Sequence, residues 1–406
     1  MNQPRLYQIR QHYNHPSIQD LKKEINTQLD TLSLDVAGKE IGVTVGSRGI
    51  SHIADITLHI CDYIREHSGT PFIIPCMGSH GGATPEGQIR VLSHYGITEE
   101  SMDCEIRSSM ETVLLGTASN GCPVYMDKVA YEADGVLLVN RVKPHTDFIA
   151  ENESGLVKMV SIGLGNKTGA TEVHKYGLAQ SIPLVFKEAA KQMPFIGGLA
   201  ILENSKEETS ILKAVKPENL LEEDAALLKT AHTLVPKLPF GQIDVLVVKE
   251  MGKSYSGTGM DTKTIGRIRI HGIPEPDYPD VNKLVVLRLS KSSDGNGLGV
   301  GLADITTKEL ADSIEQDITY TNLIHTTFLE RGKIPVYAPT EEDAVKMAFS
   351  TIGAVTPEKA KVMVIENTLH IDTLWVSEEI LKHLEPNSYD LLQEGSLCFE
   401  NGRLTI

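Results

Sequence analysis

Over residues 41–143, short Val/Ile/Leu-rich runs alternate with amphipathic stretches: IGVTVGS, ISHIADITLHICDYIREHSG, PFIIPCMGS, TPEGQIRVLSHYG and, later, GVLLVNRVK. Continuous apolar runs of strand length, separated by stretches of helical period, predict parallel strands covered by helices on both faces. That is the pattern of a doubly wound α/β domain. FIGGLAILEN (195–204) predicts a further strand, and ENLLEEDAALLKTAHTLV (218–235) predicts a helix whose acidic first turn suits the helix dipole.

Pro236, Pro239 and Gly241 then break the helical period ahead of a fresh apolar run, so a domain boundary is expected near residue 240. A second alternation follows, with strands at DVLVVKEMG, KLVVLRLS and KVMVIENT and helices at TTKELADSIEQDITYTNLIH and TEEDAVKMAFSTIG. The tail SLCFENGRLTI reads as a hairpin about Asn401-Gly402, a favoured two-residue turn, with packing against the first domain as one place for it. The expected fold is therefore α/β, with two α/β domains of mainly parallel sheet. Residues 1–240 would carry the chemistry, and residues 241–406 would close an interdomain active-site cleft.

Composition narrows the function. A length of 406 residues exceeds what one hydrophobic core usually organises. The apolar runs are too short to span a bilayer, and the start MNQPRLYQIRQHYNHP lacks the apolar core of a secretory signal, so a cytoplasmic location is expected. A net charge of -16 disfavours nucleic acid and anionic membranes as partners, because both demand clustered cations. Five cysteines without CxxC spacing argue against a zinc-thiolate or iron-sulfur site and against a disulfide framework. They read as buried thiols, with Cys76 the one near candidate chemistry.

In parallel α/β sheets ligands bind beyond the carboxyl ends of the strands. Three predicted strand ends carry polar residues suited to chemistry: Ser47 and Arg48 after IGVTVG, His80 after FIIPCMGS, and Lys143-Pro144-His145 after GVLLVNRV. Each alone could be a loop or cap residue, but together they would converge on one rim. The stretch 139–177 adds Lys158, His174 and the turn GLGNKTGA, which could cradle a phosphate through backbone N–H groups although it matches neither GxxxxGK[ST] nor GxGxxG. Lys158 lies in the apolar setting GLVKMV, where an ammonium is costly unless it snorkels, is paired or is covalently used. In the second domain, KEMGKSYSGTGMDTKTIGR follows a strand, and Lys263 or Arg267 is expected to complete a clamp on a substrate carboxylate.

The segments TVGSRGISHI, MGSHGGATPEG, KPHTDFIAENESGLVKM and GATEVHKYG resemble the lactate racemase family that uses a nickel-pincer nucleotide. The resemblance implies that Lys158 bears the cofactor through a thioamide and that His174 ligates nickel. It further implies that His80 and His145 form the acid/base pair and that Arg48 holds the substrate carboxylate. It also implies a small 2-hydroxy acid as substrate and cofactor-biosynthesis proteins as partners. The chain departs from the family where Ser154-Gly155-Leu156-Val157-Lys158 stands in place of Ser-Gly-Gly-Arg-Lys, and where VGSRGIS lacks the Asp often found before the Arg.

Two neutral imidazoles on opposite sides of the substrate suit racemisation of a 2-hydroxy acid by hydride transfer, since each can exchange the hydroxyl proton near working pH. Two other readings stay open. One is a zinc hydrolase or lyase with His80, His145 and His174 as ligands, which leaves Lys158 without a task. The other is a nucleotide-binding protein without turnover, built on GLGNKTGA, which leaves the strand-end histidines unexplained.

Overall fold

The apolar runs of the first half become the strands Thr70–Pro75, Glu40–Val45, Gly135–Arg141, Phe195–Glu203 and Thr209–Val215, hydrogen-bonded side by side in that order. The computed structural model describes residues 3–13, 16–47, 49–146 and 148–406. The first four strands of this sheet are parallel and the last is antiparallel. Ile41, Val43, Val45, Leu137 and Val139 pack against Ile56, Ile60 and Ile64 of the helix Ile53–Glu66, all of them buried. Spacing of i, i+4 and i+8 puts those three isoleucines on one helix face. A separate hairpin, Thr112–Thr117 with Pro123–Asp127, interrupts the alternation.

A second sheet of eight strands runs Val336–Ala338, Ile305–Thr307, Asp280–Leu289, Gln242–Met251, Val362–Ile365, Thr373–Ser377, Arg5–Gln11 and Tyr389–Ser396. Its first five strands are parallel and the other three join by antiparallel pairing. The chain thus divides into two units, His15–Val235 and Met1–Asn14 with Pro236–Ile406.

The division differs from a simple cut near residue 240, because the N-terminal strand belongs with the C-terminal half. Leu6 and Ile9 are both fully buried and fall three residues apart, so they enter the cores on opposite faces of the second sheet. The stretch read as one helix over 306–325 opens as the strand Ile305–Thr307 and continues as two helices, Lys308–Asp312 and Gln316–Thr326. The tail hairpin, Phe399–Glu400 with Arg403–Leu404, packs within its own unit: Leu404 is buried beside Ala344 and Ala348, and its N–H donates to Glu341 at 2.7 Å.

Candidate active site

The strand order of the first sheet reverses between Glu40–Val45 and Gly135–Arg141, since the strand that follows Glu40–Val45 in this sheet pairs on its other side. Backbone pairing between these two strands stops at Val43 and Leu137, and the next donor, the N–H of Val139, turns to the Thr44 hydroxyl at 2.9 Å. Each strand keeps pairing on its outer side, to Pro75 and to Ile201 respectively. The two strands therefore part toward their carboxyl ends at the switch point, which is where open α/β sheets bind ligands.

The segment that bears Lys158 lies over this parting. It runs as a short turn of α-helix, Leu156–Lys158, into a π-helical turn, Met159–Gly163. Asn140, near the end of its strand, donates to the Gly155 carbonyl at 2.8 Å, and the Cys76 thiol donates to the Met159 carbonyl at 3.2 Å. Two glycines let the segment sit this close. A Cβ on Gly155 would lie 2.1 Å from the Asp224 carboxylate, and one on Gly163 would lie 2.6 Å from the Cys76 sulfur. Lys158 itself is half-buried. π-Turns are uncommon and frequently mark functional positions.

Asp224 anchors the start of the segment. It comes from the helix Leu220–Leu234, is 1% exposed, and accepts the N–H of Leu156 at 2.6 Å and the amide of Asn152 at 3.0 Å. Burial pushes its carboxyl up to about 6, against the opposing pull of those donors. Cys76 is a buried neutral thiol, its pKa driven well up by burial, so it offers structure to the site and no thiolate.

His80 is exposed in the loop after Thr70–Pro75, and its Nδ1 hydrogen-bonds the hydroxyl of Ser47, which follows the neighbouring strand. Two predicted strand ends are thus joined directly. The loop turns through Gly81 and Gly82 at positive φ, and Gly81 lies so close to the helix Pro85–His94 that a Cβ would meet the Gln88 nitrogen at 2.7 Å. His145 stacks on the buried ring of Phe148 at 4.5 Å, and its N–H donates to Glu153 at 2.5 Å. Glu153 is 1% exposed and also accepts the N–H of Ala150, so one carboxylate gathers the loop. Glu203 plays the same part at the start of the helix Ile53–Glu66: it pairs with Arg141 and accepts the N–H of Ser51 at 2.6 Å. Arg48 itself lies outside the described residues. His174 is exposed in the last turn of the helix Asn166–Lys175.

The remaining expectations fare differently. Lys263 sits in the short helix Thr262–Ile265, capped by Asp261, beyond the end of Gln242–Met251. Arg267 is engaged within its own unit: its guanidinium donates to the carbonyls of Leu302 and Val281 at 3.0 and 2.9 Å and pairs with Asp304 at 2.7 Å. A guanidinium with these acceptors is a cross-link of the fold.

GLGNKTGA is no open cradle. Gly163, Leu164, Gly165 and Asn166 are buried, the Leu164 carbonyl accepts the Asp127 N–H at 2.6 Å, and Gly169 lies against Tyr125. Its glycines serve close packing. Among the described residues, no group of three or more His, Cys, Asp or Glu side chains is gathered to hold a metal, so the three histidines form no ready zinc site. A pincer nucleotide asks for a different donor set, one amine and one imidazole, and the consecutive helical segments 156–163 and 166–175 carry both as Lys158 and His174. No helix among the described residues is long and apolar enough to cross a membrane.

Reading the sequence for reactive types missed Glu153, Glu203 and Asp224, the carboxylates that hold the loops. Asp224 left a signal: with Leu220, Leu227, Leu228 and Ala231 it occupies the buried face of its helix, where an unpaired acid is out of place.

Residues 53–182 match the family model described as the lactate racemase N-terminal domain, a stretch that holds His80, His145, Lys158 and His174. No curated protein matches the chain. Among solved structures, the lactate racemase apoprotein from Thermoanaerobacterium thermosaccharolyticum is similar at 16% identity with a TM-score of 0.56, over 87% of this chain and 92% of that one. A crystal structure of a Thermotoga maritima protein aligns at 12% identity with a TM-score of 0.49, over 77% and 80% of the two chains. The motif-bearing stretch 53–182 is thus similar in sequence to the lactate racemase N-terminal domain, and the chain shares the α/β fold of that apoprotein over most of its length.

Proposed function

We propose that this protein is an isomerase that racemises or epimerises a small 2-hydroxy acid, using a nickel-pincer nucleotide tethered to Lys158. The observation that carries the reading is the seat of Lys158: a half-buried amine that ends a short α-helical turn and leads into a tightly packed π-turn over the switch point, flanked by loops that bear His80 and His145. Such a cofactor, when bound, supplies an electrophilic carbon that accepts a hydride and returns it. Lys158 would hold it covalently and His174 would ligate its nickel, with cofactor-biosynthesis proteins as the source.

The chain's own groups supply the rest. The Ser47 hydroxyl holds the His80 ring through Nδ1, and His80 would exchange the substrate's hydroxyl proton. His145, stacked on Phe148 and fixed by Glu153 through its backbone, serves the opposite face. Arg48 would take the carboxylate, so Arg48→Lys, which replaces a planar fork by a point charge, is expected to cost about 1–3 kcal/mol of binding.

The test is intact mass and metal content of protein made with and without the cofactor pathway, beside a panel of single-enantiomer 2-hydroxy acids. Lys158→Ala should lose both the added mass and the activity. His80→Ala and His145→Ala should keep the mass and lose activity. Activity that survives Lys158→Ala, or an active protein with zinc and no adduct, overturns the reading.

A further inference from the structure

Cys61 and Cys104 lie 43 residues apart in sequence, yet their sulfurs are 3.9 Å apart. Cys61 is fully buried on the helix Ile53–Glu66, and Cys104 is partly exposed just beyond the short helix Glu99–Met102. The approach is built from both sides. Arg65, one turn after Cys61, reaches the carbonyls of Met102 and Asp103 at 3.3 and 3.4 Å and so clasps the chain immediately before Cys104. Asp103, at φ 49°, turns the backbone there. Beyond the cysteine, Glu105 and Arg107 bond Ile73 at the sheet edge, at 2.8 and 2.9 Å. The pair is thus pinned between a helix and the edge of the sheet.

We propose that Cys61 and Cys104 form a reversible dithiol/disulfide modification site, oxidised by peroxides. The partly exposed sulfur is the one a peroxide can reach. It is also the more acidic: its contact with the Cys61 sulfur and the nearby Arg65 cation lower its pKa, while the neighbouring sulfur and burial raise Cys61. The Cys104 thiolate attacks one peroxide oxygen and breaks the O–O bond, giving a sulfenic acid and hydroxide. The Cys61 sulfur then attacks the Cys104 sulfur and loses its proton, and the S–O bond breaks to release water. Two thiols are oxidised to one disulfide, and one hydrogen peroxide is reduced to two waters. The sulfurs must close from 3.9 Å to about 2.05 Å, a movement on the scale of rotation about the two Cα–Cβ bonds.

The experiment exposes the folded full-length Cys398→Ser protein to hydrogen peroxide, removing the exposed Cys398 from competition. Remaining thiols are then alkylated under denaturing conditions and the digest is mapped by mass. The expected result is loss of two alkylatable thiols, a Cys61–Cys104 cross-linked peptide, and full reversal by dithiothreitol. In Cys61→Ser the reaction should stop at a Cys104 sulfenic acid trapped by dimedone. The proposal is overturned if peroxide leaves both thiols alkylatable, if Cys104 proceeds to sulfenic or sulfinic acid in the parent without cross-linking, or if the cross-link forms only after prior unfolding.

Discussion

Asp224 carries a pH dependence whose sign follows from its burial. Its carboxyl is pushed up to about 6 from the ordinary 3.8, so between those values the native state holds a proton that the unfolded chain has released. The contribution of this group to stability is therefore greatest below about pH 4, falls as pH rises toward 6, and is flat above; the shift corresponds to roughly 3 kcal/mol. Asp224→Asn removes the titration. The stability of the parent minus that of the variant, read from denaturant unfolding, should decrease from pH 4 to pH 7 by up to this amount, and a constant difference would mean an ordinary carboxyl. Glu153 works on the backbone instead, through the N–H groups of His145 and Ala150. Glu153→Ala should cost about 1–3 kcal/mol locally, seen as amide exchange at these positions faster by one to two orders of magnitude. For Arg267 the expected effect lies in the fold. Burial raises the Asp304 carboxyl, but Arg267 and the Leu284 N–H more than offset this and hold it below the usual range. Arg267→Met leaves that carboxylate half-buried without its main partner, and a loss of about 3–5 kcal/mol is expected, read as a lowered melting temperature.

The π-turn Met159–Gly163 shows how an element can be set by what it must fit. Its Leu164 N–H reaches the Met159 carbonyl at 2.9 Å, one residue further than an α-helix would allow, and the extra residue brings Gly163 flush against Cys76. Gly163→Ala would place a methyl group 2.6 Å from the thiol and 2.9 Å from the Cys76 carbonyl oxygen, both fixed by the strand. Overpacking of this kind is expected to cost about 1–3 kcal/mol. Because Lys158 directly precedes this turn as its N-cap, the variant should also change the rate at which Lys158 reacts with an amine-selective reagent. Peptide mapping reads that rate in protein without cofactor, and an unchanged rate would separate the turn from the seat of the lysine.

At the scale of the molecule, the second sheet is assembled from both ends of the chain. Arg5–Gln11 lies between Thr373–Ser377 and Tyr389–Ser396, pairing with both, and buries Leu6 and Ile9 completely. Burial of two such side chains is worth about 3–6 kcal/mol before any hydrogen bonds are counted. A protein truncated before residue 12 is therefore expected to lose cooperative unfolding of its C-terminal unit. The fragment 16–235, which keeps its own sheet and core, should fold alone. Circular dichroism melts of the two proteins check both statements.

The sequence alone determined the strands that are buried on both faces and the helices that cover them, because continuous apolar runs and a clear helical period are local properties of the chain. It also determined which polar residues follow strand ends, and hence that Ser47 and His80 could meet. What the tertiary structure decided was everything set by distant partners. The strands Arg5–Gln11, Thr373–Ser377 and Tyr389–Ser396 are recruited by pairing across more than 350 residues, and Tyr389–Ser396 is largely exposed, so its own composition carries little apolar signal. Arg267 looked like a ligand-binding cation in a loop, and only the fold supplied the carbonyls and the Asp304 carboxylate that occupy it. GLGNKTGA looked like a phosphate nest, and only the fold turned its backbone inward against Asp127 and Tyr125. The carboxylates Glu153, Glu203 and Asp224 bind backbone N–H groups, which every residue but proline possesses, so the choice of partner is written in three-dimensional proximity and not in any side-chain motif.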